Sequence, residues 1–158
     1  MGPRAISQGP AGSLGLVPSF SHSIELAQPP EAVFPWLLEE DKVPRWTSGL
    51  SRYEQDSPLR TGAHVKQVLA LGGSVLVLDL ELVRYEPPRS VESRTSTNGV
   101  NLTIAYELAP NGGGTRLTQT LEAKAGSLTA RMLIPVVQGR LEKKVTGDLE
   151  RLKEELGA

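Results

Sequence analysis

Alternation with a period of two dominates the middle of the chain. Over residues 75–85, Leu76, Leu78, Leu80 and Leu82 take successive even positions, while the odd positions hold Val75, Val77, Asp79, Glu81, Val83 and Tyr85. Strand side chains point alternately to two faces, so this segment predicts a strand with one leucine face and one mixed face. Residues 64–71 repeat the pattern, with Val65, Gln67, Leu69 and Leu71 together, and Gly72-Gly73 supplies a two-residue hairpin turn between the two strands. Further strands are predicted over residues 19–27, 51–55, 89–97, 100–108 and 115–123. Their shared faces carry Phe20, Ile24 and Leu26 in the first of these. Val91, Ser93 and Thr95, then Val100, Leu102, Ile104, Tyr106 and Leu108, then Leu117, Gln119 and Leu121 do so in the last three. Glu86-Pro87-Pro88, Asn98-Gly99 and Asn111-Gly112-Gly113-Gly114 mark the turns. An antiparallel sheet with one dry side follows.

Two regions depart from this period. Ala32, Val33, Trp36 and Leu37 recur at helical spacing and predict a short helix over residues 30–40, with Pro30 in its first turn. Asp41 is placed to cap a second short helix carrying Val43, Trp46 and Leu50. After Gly126, Leu133, Val137, Leu141, Val145, Leu149, Leu152 and Leu156 are spaced by three or four, the core stripe of a long helix opened by Ser127. Pro135 should kink or break that helix near its start. Gly139 and Gly147 each weaken it by about 1 kcal/mol relative to alanine, which close packing or a cavity would explain. The order is α+β: strand, two short helices, about six hairpin-joined strands, long helix. Only the last element is long enough to cover the apolar face, so the curved sheet should wrap around it.

Composition narrows the chemistry. The chain has 158 residues and a mass of 17.0 kDa, which suits one domain. Residues 1–18 hold four Gly and three Pro without amphipathic period and read as a flexible N-terminal tail, leaving 19–158 as the domain. Neither a signal peptide nor a bilayer-spanning run is present, so a soluble cytoplasmic protein without integral membrane association is expected. A net charge of −1 gives no broad basic field for nucleic acid. The absence of cysteine excludes disulfides, a thiolate nucleophile and zinc-thiolate or cysteine-ligated iron–sulfur sites. With only His22 and His64 beside it, no metal and no cofactor are expected.

Four segments carry a family resemblance. Pro29-Pro30-Glu31-Ala32-Val33-Phe34 is similar to the helix opening after the first strand of the helix-grip (START-like, SRPBCC) superfamily. Val43-Pro44-Arg45-Trp46 resembles its second short helix, Tyr85-Glu86-Pro87-Pro88-Arg89 its mid-sheet proline turn, and Leu149-Glu150-Arg151-Leu152-Lys153 its closing helix. Together, from residue 19 to 156, they resemble the polyketide cyclase/dehydrase-like branch. The resemblance implies a deep, largely apolar cavity between the sheet and the C-terminal helix.

Candidate ligand-binding residues follow from the predicted inward faces and from that resemblance. Gln67, Ser93, Thr95 and Gln119 are polar positions on inward faces, where an unpaired buried glutamine costs roughly 1–3 kcal/mol. Lining a wet or ligand-filled pocket relieves that cost; pairing to backbone, or a different strand phase, would do so too. Leu69, Leu78, Leu80, Leu102 and Ile104 would supply the apolar wall. Tyr106 would offer a hydroxyl or stand as a core tyrosine. Trp46 suits a pocket mouth or ordinary packing, and Trp36 ordinary packing. Leu133, Val136, Val137 and Arg140 would face the pocket from the long helix. Arg140, like Arg131, either pairs with a ligand anion or lies on a solvated helix face. His64 opens a strand beside a turn with no carboxylate at strand spacing facing it, which favours a solvated histidine over a catalytic base, and His22 is read likewise. Asp79 and Glu81 lie on the outer face, without forming a dyad.

These patterns predict a binding module, monomeric or dimeric, whose partner is a small hydrophobic or amphipathic molecule. The alternative is a polyketide cyclase/dehydratase-like enzyme in the same cavity, with His64 and Tyr106 as candidate catalytic residues. A protein-interaction module is a third reading, which a large exposed apolar patch would favour.

Overall fold

A computed structural model describes residues 19–157; the predicted tail lies outside them. The strands are β1 (Ser19–Leu26), β2 (Leu50–Gln55), β3 (His64–Leu71), β4 (Ser74–Glu86), β5 (Ser90–Thr97), β6 (Val100–Asn111) and β7 (Gly114–Ala125). They form one antiparallel sheet in the order β1-β7-β6-β5-β4-β3-β2. A single 28-residue helix, α2 (Leu128–Glu155), packs across the inward face of β7, β1 and β6. This is the α+β order that the hydrophobic pattern predicts and the helix-grip fold that the resemblance implies.

Most strand phases agree with the alternation. Leu78, Leu80 and Leu82 are buried, while Val75, Val77, Asp79 and Glu81 face outward. A bulge between Leu82 and Arg84 then reverses the phase. Tyr85, predicted on the mixed outer face, therefore turns inward and meets Phe34 edge to face, with ring centroids 5.6 Å apart. At Asn98-Gly99 both residues have positive φ, the requirement of a tight two-residue hairpin turn.

The helices depart further. The segment predicted as one helix over residues 30–40 is a single α-turn, α1 (Pro30–Val33), followed by a 3-10 turn (Phe34–Leu37). Pro35 supplies no N–H to continue the α-helical pattern. The second short helix is a 3-10 turn (Val43–Arg45) preceded by Lys42, with no cap from Asp41. Ser127 caps α2 as expected, accepting from the Ala130 N–H at 3.1 Å. Pro135 neither breaks nor ends the helix. The buried stripe is Ala130, Ile134, Val145, Asp148, Leu149 and Leu152, so Leu133 falls outside the core stripe and is 49% exposed. Close packing does not explain Gly139 or Gly147, because a β-carbon at either would meet nothing within 4 Å.

Candidate functional site

Curvature brings the inward faces of β3, β4, β5 and β6 together beside α2. Buried side chains there form three groups where a fully packed small domain would show one continuous core. The main group joins Leu82, Val91, Leu108 and Leu117 to Val145, Leu149 and Leu152 of α2. A second joins Val100, Leu102 and Ala123 to Ala130 and Ile134. The third is Leu69, Leu78 and Leu80, with Ile104 bridging toward the main group.

Polar side chains line the seams between these groups. Strand register sets His22 opposite Gln119, and Gln119 opposite Tyr106. Directly paired residues share a face, and neighbouring strands lie about 4.8 Å apart, so the three make a transverse row about 10 Å long. The His22 ring stacks on Phe20, with centroids 6.5 Å apart, and its Nε2 is sealed from solvent without a hydrogen-bond partner. Among the described residues, no hydrogen bond engages the side chains of Gln67, Ser93, Thr95, Tyr106 or Gln119, and none has a sealed polar atom. Burial, reinforced by the Asp148 carboxylate, pushes the Tyr106 hydroxyl pKa well above its ordinary value. That hydroxyl therefore stays protonated and is a hydrogen-bond donor. Burial likewise raises the pKa of Tyr53, whose Oη donates to the Leu38 carbonyl at 2.7 Å.

The second half of α2 is bolted in place. Lys144 Nζ donates to Asp148 Oδ2 at 2.7 Å and to the Ser48 carbonyl, while the Ser48 N–H donates to Asp148 Oδ1 at 2.9 Å. The first half is held more lightly. Arg140 lies directly over Gly72 at the tip of the β3–β4 hairpin; its guanidinium leaves no room for a β-carbon there. Gly72, with φ +63°, meets both the turn's conformation and this close approach.

The structure thus gathers Gln67, Leu69, Leu78, Leu80, Ser93, Thr95, Ile104, Tyr106 and Gln119 on one concave face. Leu102 lies deeper, against Ile134 of α2. Val137 is half-buried, and Arg140 stands at the hairpin mouth. Leu133 and Val136 instead face solvent, because the α2 stripe runs through Ala130 and Ile134. Trp46 is in the core and not at a mouth, its Nε1 donating to the Trp36 carbonyl at 2.9 Å. His64 points outward, where its Nδ1 and Asp79 Oδ1 are 2.9 Å apart. This corrects the expectation that no carboxylate faces it, and sets His64 on the face opposite Gln67 and Leu69. The Asp79 hydrogen bond holds its pKa above the ordinary value. His22 is the residue that the sequence reading missed, although its parity with Phe20, Ile24 and Leu26 already placed it inward.

Open volume is distributed differently from the implied cavity. Under the first half of α2 a void of about 10 Å³, bordered by Phe20, Leu102, Leu121 and Leu141, has room for one water. The larger hollow, about 340 Å³, lies at the opposite end of the sheet between Phe34, Pro35, Leu38, Leu59, Tyr85, Pro87 and Pro88, with Glu31 and Glu39. None of the predicted ligand-binding residues lines it. Among the described residues, no three His, Asp or Glu side chains converge on a metal site, and no helix is long and apolar enough to cross a membrane.

Known proteins share this architecture. The chain is 29% identical over 109 residues to an uncharacterized protein of Mycobacterium tuberculosis, covering 66% of this chain and 65% of that one. It therefore spans just under two thirds of the curated relatives it matches. The TTHA0849 structure from Thermus thermophilus superposes with a TM-score of 0.74 at 16% identity, covering 88% of this chain and 97% of the other. The Zhui aromatase/cyclase from Streptomyces sp. R1128 gives 0.73 at 15% identity, covering 89% and 94%. At these identities the two structures speak for the fold alone. The family model described as "Polyketide cyclase / dehydrase and lipid transport" matches residues 17–157, and this chain belongs to that family.

Proposed function

We propose that the protein binds a small hydrophobic or amphipathic molecule between the curved sheet and α2. Leu69, Leu78, Leu80, Leu102 and Ile104 receive its apolar body. The row His22–Gln119–Tyr106, with Gln67, Ser93 and Thr95 beside it, orients its polar end. The observation that carries this reading is the set of inward hydrogen-bonding groups without protein partners. In a dry packed interior each unpaired group would cost about 1–3 kcal/mol, whereas a ligand hydroxyl or carbonyl would satisfy several at once. The void of about 10 Å³ beside Leu102 is too small for such a molecule, so a ligand that reaches Leu102 requires the first half of α2 to move outward. Pro135 and Gly139 weaken the helix there, and release of Arg140 from Gly72 opens the mouth between Val137 and the hairpin. Arg140 is then placed to pair with an anionic group on the ligand. This reading takes the chain as a cytoplasmic monomer or dimer that works without metal or cofactor.

Fluorescence titration with 1-anilinonaphthalene-8-sulfonate, followed by displacement with fatty acids and polycyclic phenols, tests this. Micromolar binding is expected, weakened roughly tenfold by Gln119→Leu or Tyr106→Phe, the value of one or two hydrogen bonds. Absence of micromolar binding by any apolar probe would contradict it.

The second reading is cyclase/dehydratase-like catalysis on the same face. Kinship with a cyclase/dehydrase family and the interior pair His22 and Tyr106 favour it. A neutral imidazole can accept a proton, and the protonated Tyr106 hydroxyl can polarise a carbonyl. His22→Ala and Tyr106→Phe should then abolish turnover of a polyketide substrate while retaining binding; unchanged turnover in both removes this reading.

A further inference from the structure

The proposed function leaves the hollow of about 340 Å³ at the far end of the sheet unused. Its volume falls within the range of small-molecule pockets, about 300–1,000 Å³. The fold builds it from stiff parts. Pro35, in the 3-10 turn after α1, stands in one wall, and Pro87 and Pro88, in the β4–β5 turn, stand in another. Proline fixes φ at each. The β4–β5 turn is pinned on both sides. The Arg89 N–H donates to the Glu86 carbonyl at 2.8 Å, and the Ser90 hydroxyl donates to Glu86 Oε1 at 3.1 Å. The Leu108 N–H donates to the Arg89 carbonyl at 2.8 Å. The bulge between Leu82 and Arg84 re-aims Tyr85 from the outer face into this hollow, against Phe34. Leu38 and Leu59 complete the apolar lining.

Two charged side chains line the hollow, Glu31 and Glu39, and both are carboxylates. Glu39 Oε1 accepts from Lys42 Nζ at 2.9 Å. Among the described residues, no hydrogen bond engages Glu39 Oε2 or the Glu31 carboxylate. The cations nearby stand outside the lining. Lys42 sits between Glu39 and Asp41, and Arg45 pairs with Glu155 at 2.9 Å and lies over the Trp36 ring. Arg60 and Arg89 are exposed and do not line the hollow. An ionised carboxylate only accepts hydrogen bonds, so the polar groups inside the hollow ask for a donor. We infer that the hollow is a second small-molecule site, which takes an organic cation. An aryl- or alkylammonium would lay its apolar body against Phe34, Leu38, Leu59 and Tyr85 and donate its N–H groups to Glu31 and Glu39. The walls are already in place, so binding requires no movement of α2. The hollow shares no residue with the interior face, and the proposal does not depend on what that face binds.

Proton–nitrogen NMR of the full 158-residue chain, titrated with three probes of similar shape, tests this. The probes are 2-phenylethylammonium, 2-phenylethanol and 3-phenylpropionate, each at about 0.05 M salt. The ammonium should shift the backbone amides of Leu38, Leu59 and Tyr85 saturably, with a Kd below about 1 mM, the scale for a ligand of about nine heavy atoms. The alcohol should bind about fivefold more weakly, and the carboxylate more weakly still. Glu31→Gln should lower the affinity for the ammonium about fivefold, and Glu31→Lys roughly tenfold. Glu31 is exposed in the first turn of α1, so the spectrum of the free variants should change only locally. The three-probe series on the unaltered chain needs no variant. No saturable shift with the ammonium overturns the proposal, as does equal affinity for the alcohol. Tighter binding of the carboxylate overturns it too, and assigns the preference to Arg60 and Arg89 at the rim. Shifts at Leu69, Leu78 and Leu80, with Leu38, Leu59 and Tyr85 unmoved, place the probe in the interior and also count against it. Failure of dye binding with ammonium binding intact counts against the interior site alone, and the reverse result against this hollow alone.

Discussion

The two halves of α2 share one helix and little else. Residues 142–155 bury Val145, Asp148, Leu149 and Leu152 and fasten Lys144 and Asp148 to the Ser48 backbone. Residues 128–141 bury only Ala130 and Ile134, rest Arg140 on a hairpin tip and leave Leu128, Met132 and Val136 in solvent. One half holds the sheet closed; the other has the sparse burial that local opening would need. Local opening of this kind belongs to segments with few buried apolar contacts.

Substitutions should divide along that line. Asp148→Ala strands the nearly buried Lys144 and should cost about 3–5 kcal/mol, a drop of roughly 10 °C in thermal unfolding followed by circular dichroism. Leu149→Ala should cost about 2–5 kcal/mol in urea unfolding. Met132→Ala, on the other half, should stay within about 0.5 kcal/mol. Equal costs in the two halves would refute the contrast. Gly139→Ala places its methyl in open space within a helix and should stabilise by up to about 1 kcal/mol. By stiffening the hinge it should also slow dye uptake in stopped-flow measurements.

The smallest effect concerns His64, outside both halves. Its folded pKa lies above the ordinary value of 6.5 because it bonds to Asp79. The pair's contribution is thus fully present below the unfolded pKa and lost as pH rises through the folded one. Asp79→Asn should return the His64 titration, followed by NMR, toward the ordinary value; an unchanged midpoint would deny the pairing.

What the sequence disclosed follows the same division. The even leucines of β4 and the alternation of β3, β6 and β7 gave the correct inward faces, because one buried side forces a period of two. Tyr85 escaped because a bulge, which no alternation announces, inserts one residue at Leu82/Arg84. On α2, residues 128–137 include Leu128, Ala130, Met132, Leu133, Ile134, Val136 and Val137. A helix apolar all round carries no phase information, so Leu133 and Ile134 were equally eligible for the core. His64 was read without its partner because Asp79 is a diagonal neighbour; Glu81 stands directly opposite. In the interior, Gln67, Gln119 and Tyr106 were legible as polar interruptions of apolar faces. How much open space lies beside them depends on how closely α2 settles, which no local pattern encodes.

Methyl NMR of leucine-labelled protein during titration with 1-anilinonaphthalene-8-sulfonate tests interior binding most directly. The account predicts saturable micromolar shifts at Leu69, Leu78 and Leu80, all now buried. Shifts confined to Leu128 and Leu133 on the outer surface, or none at all, would contradict it.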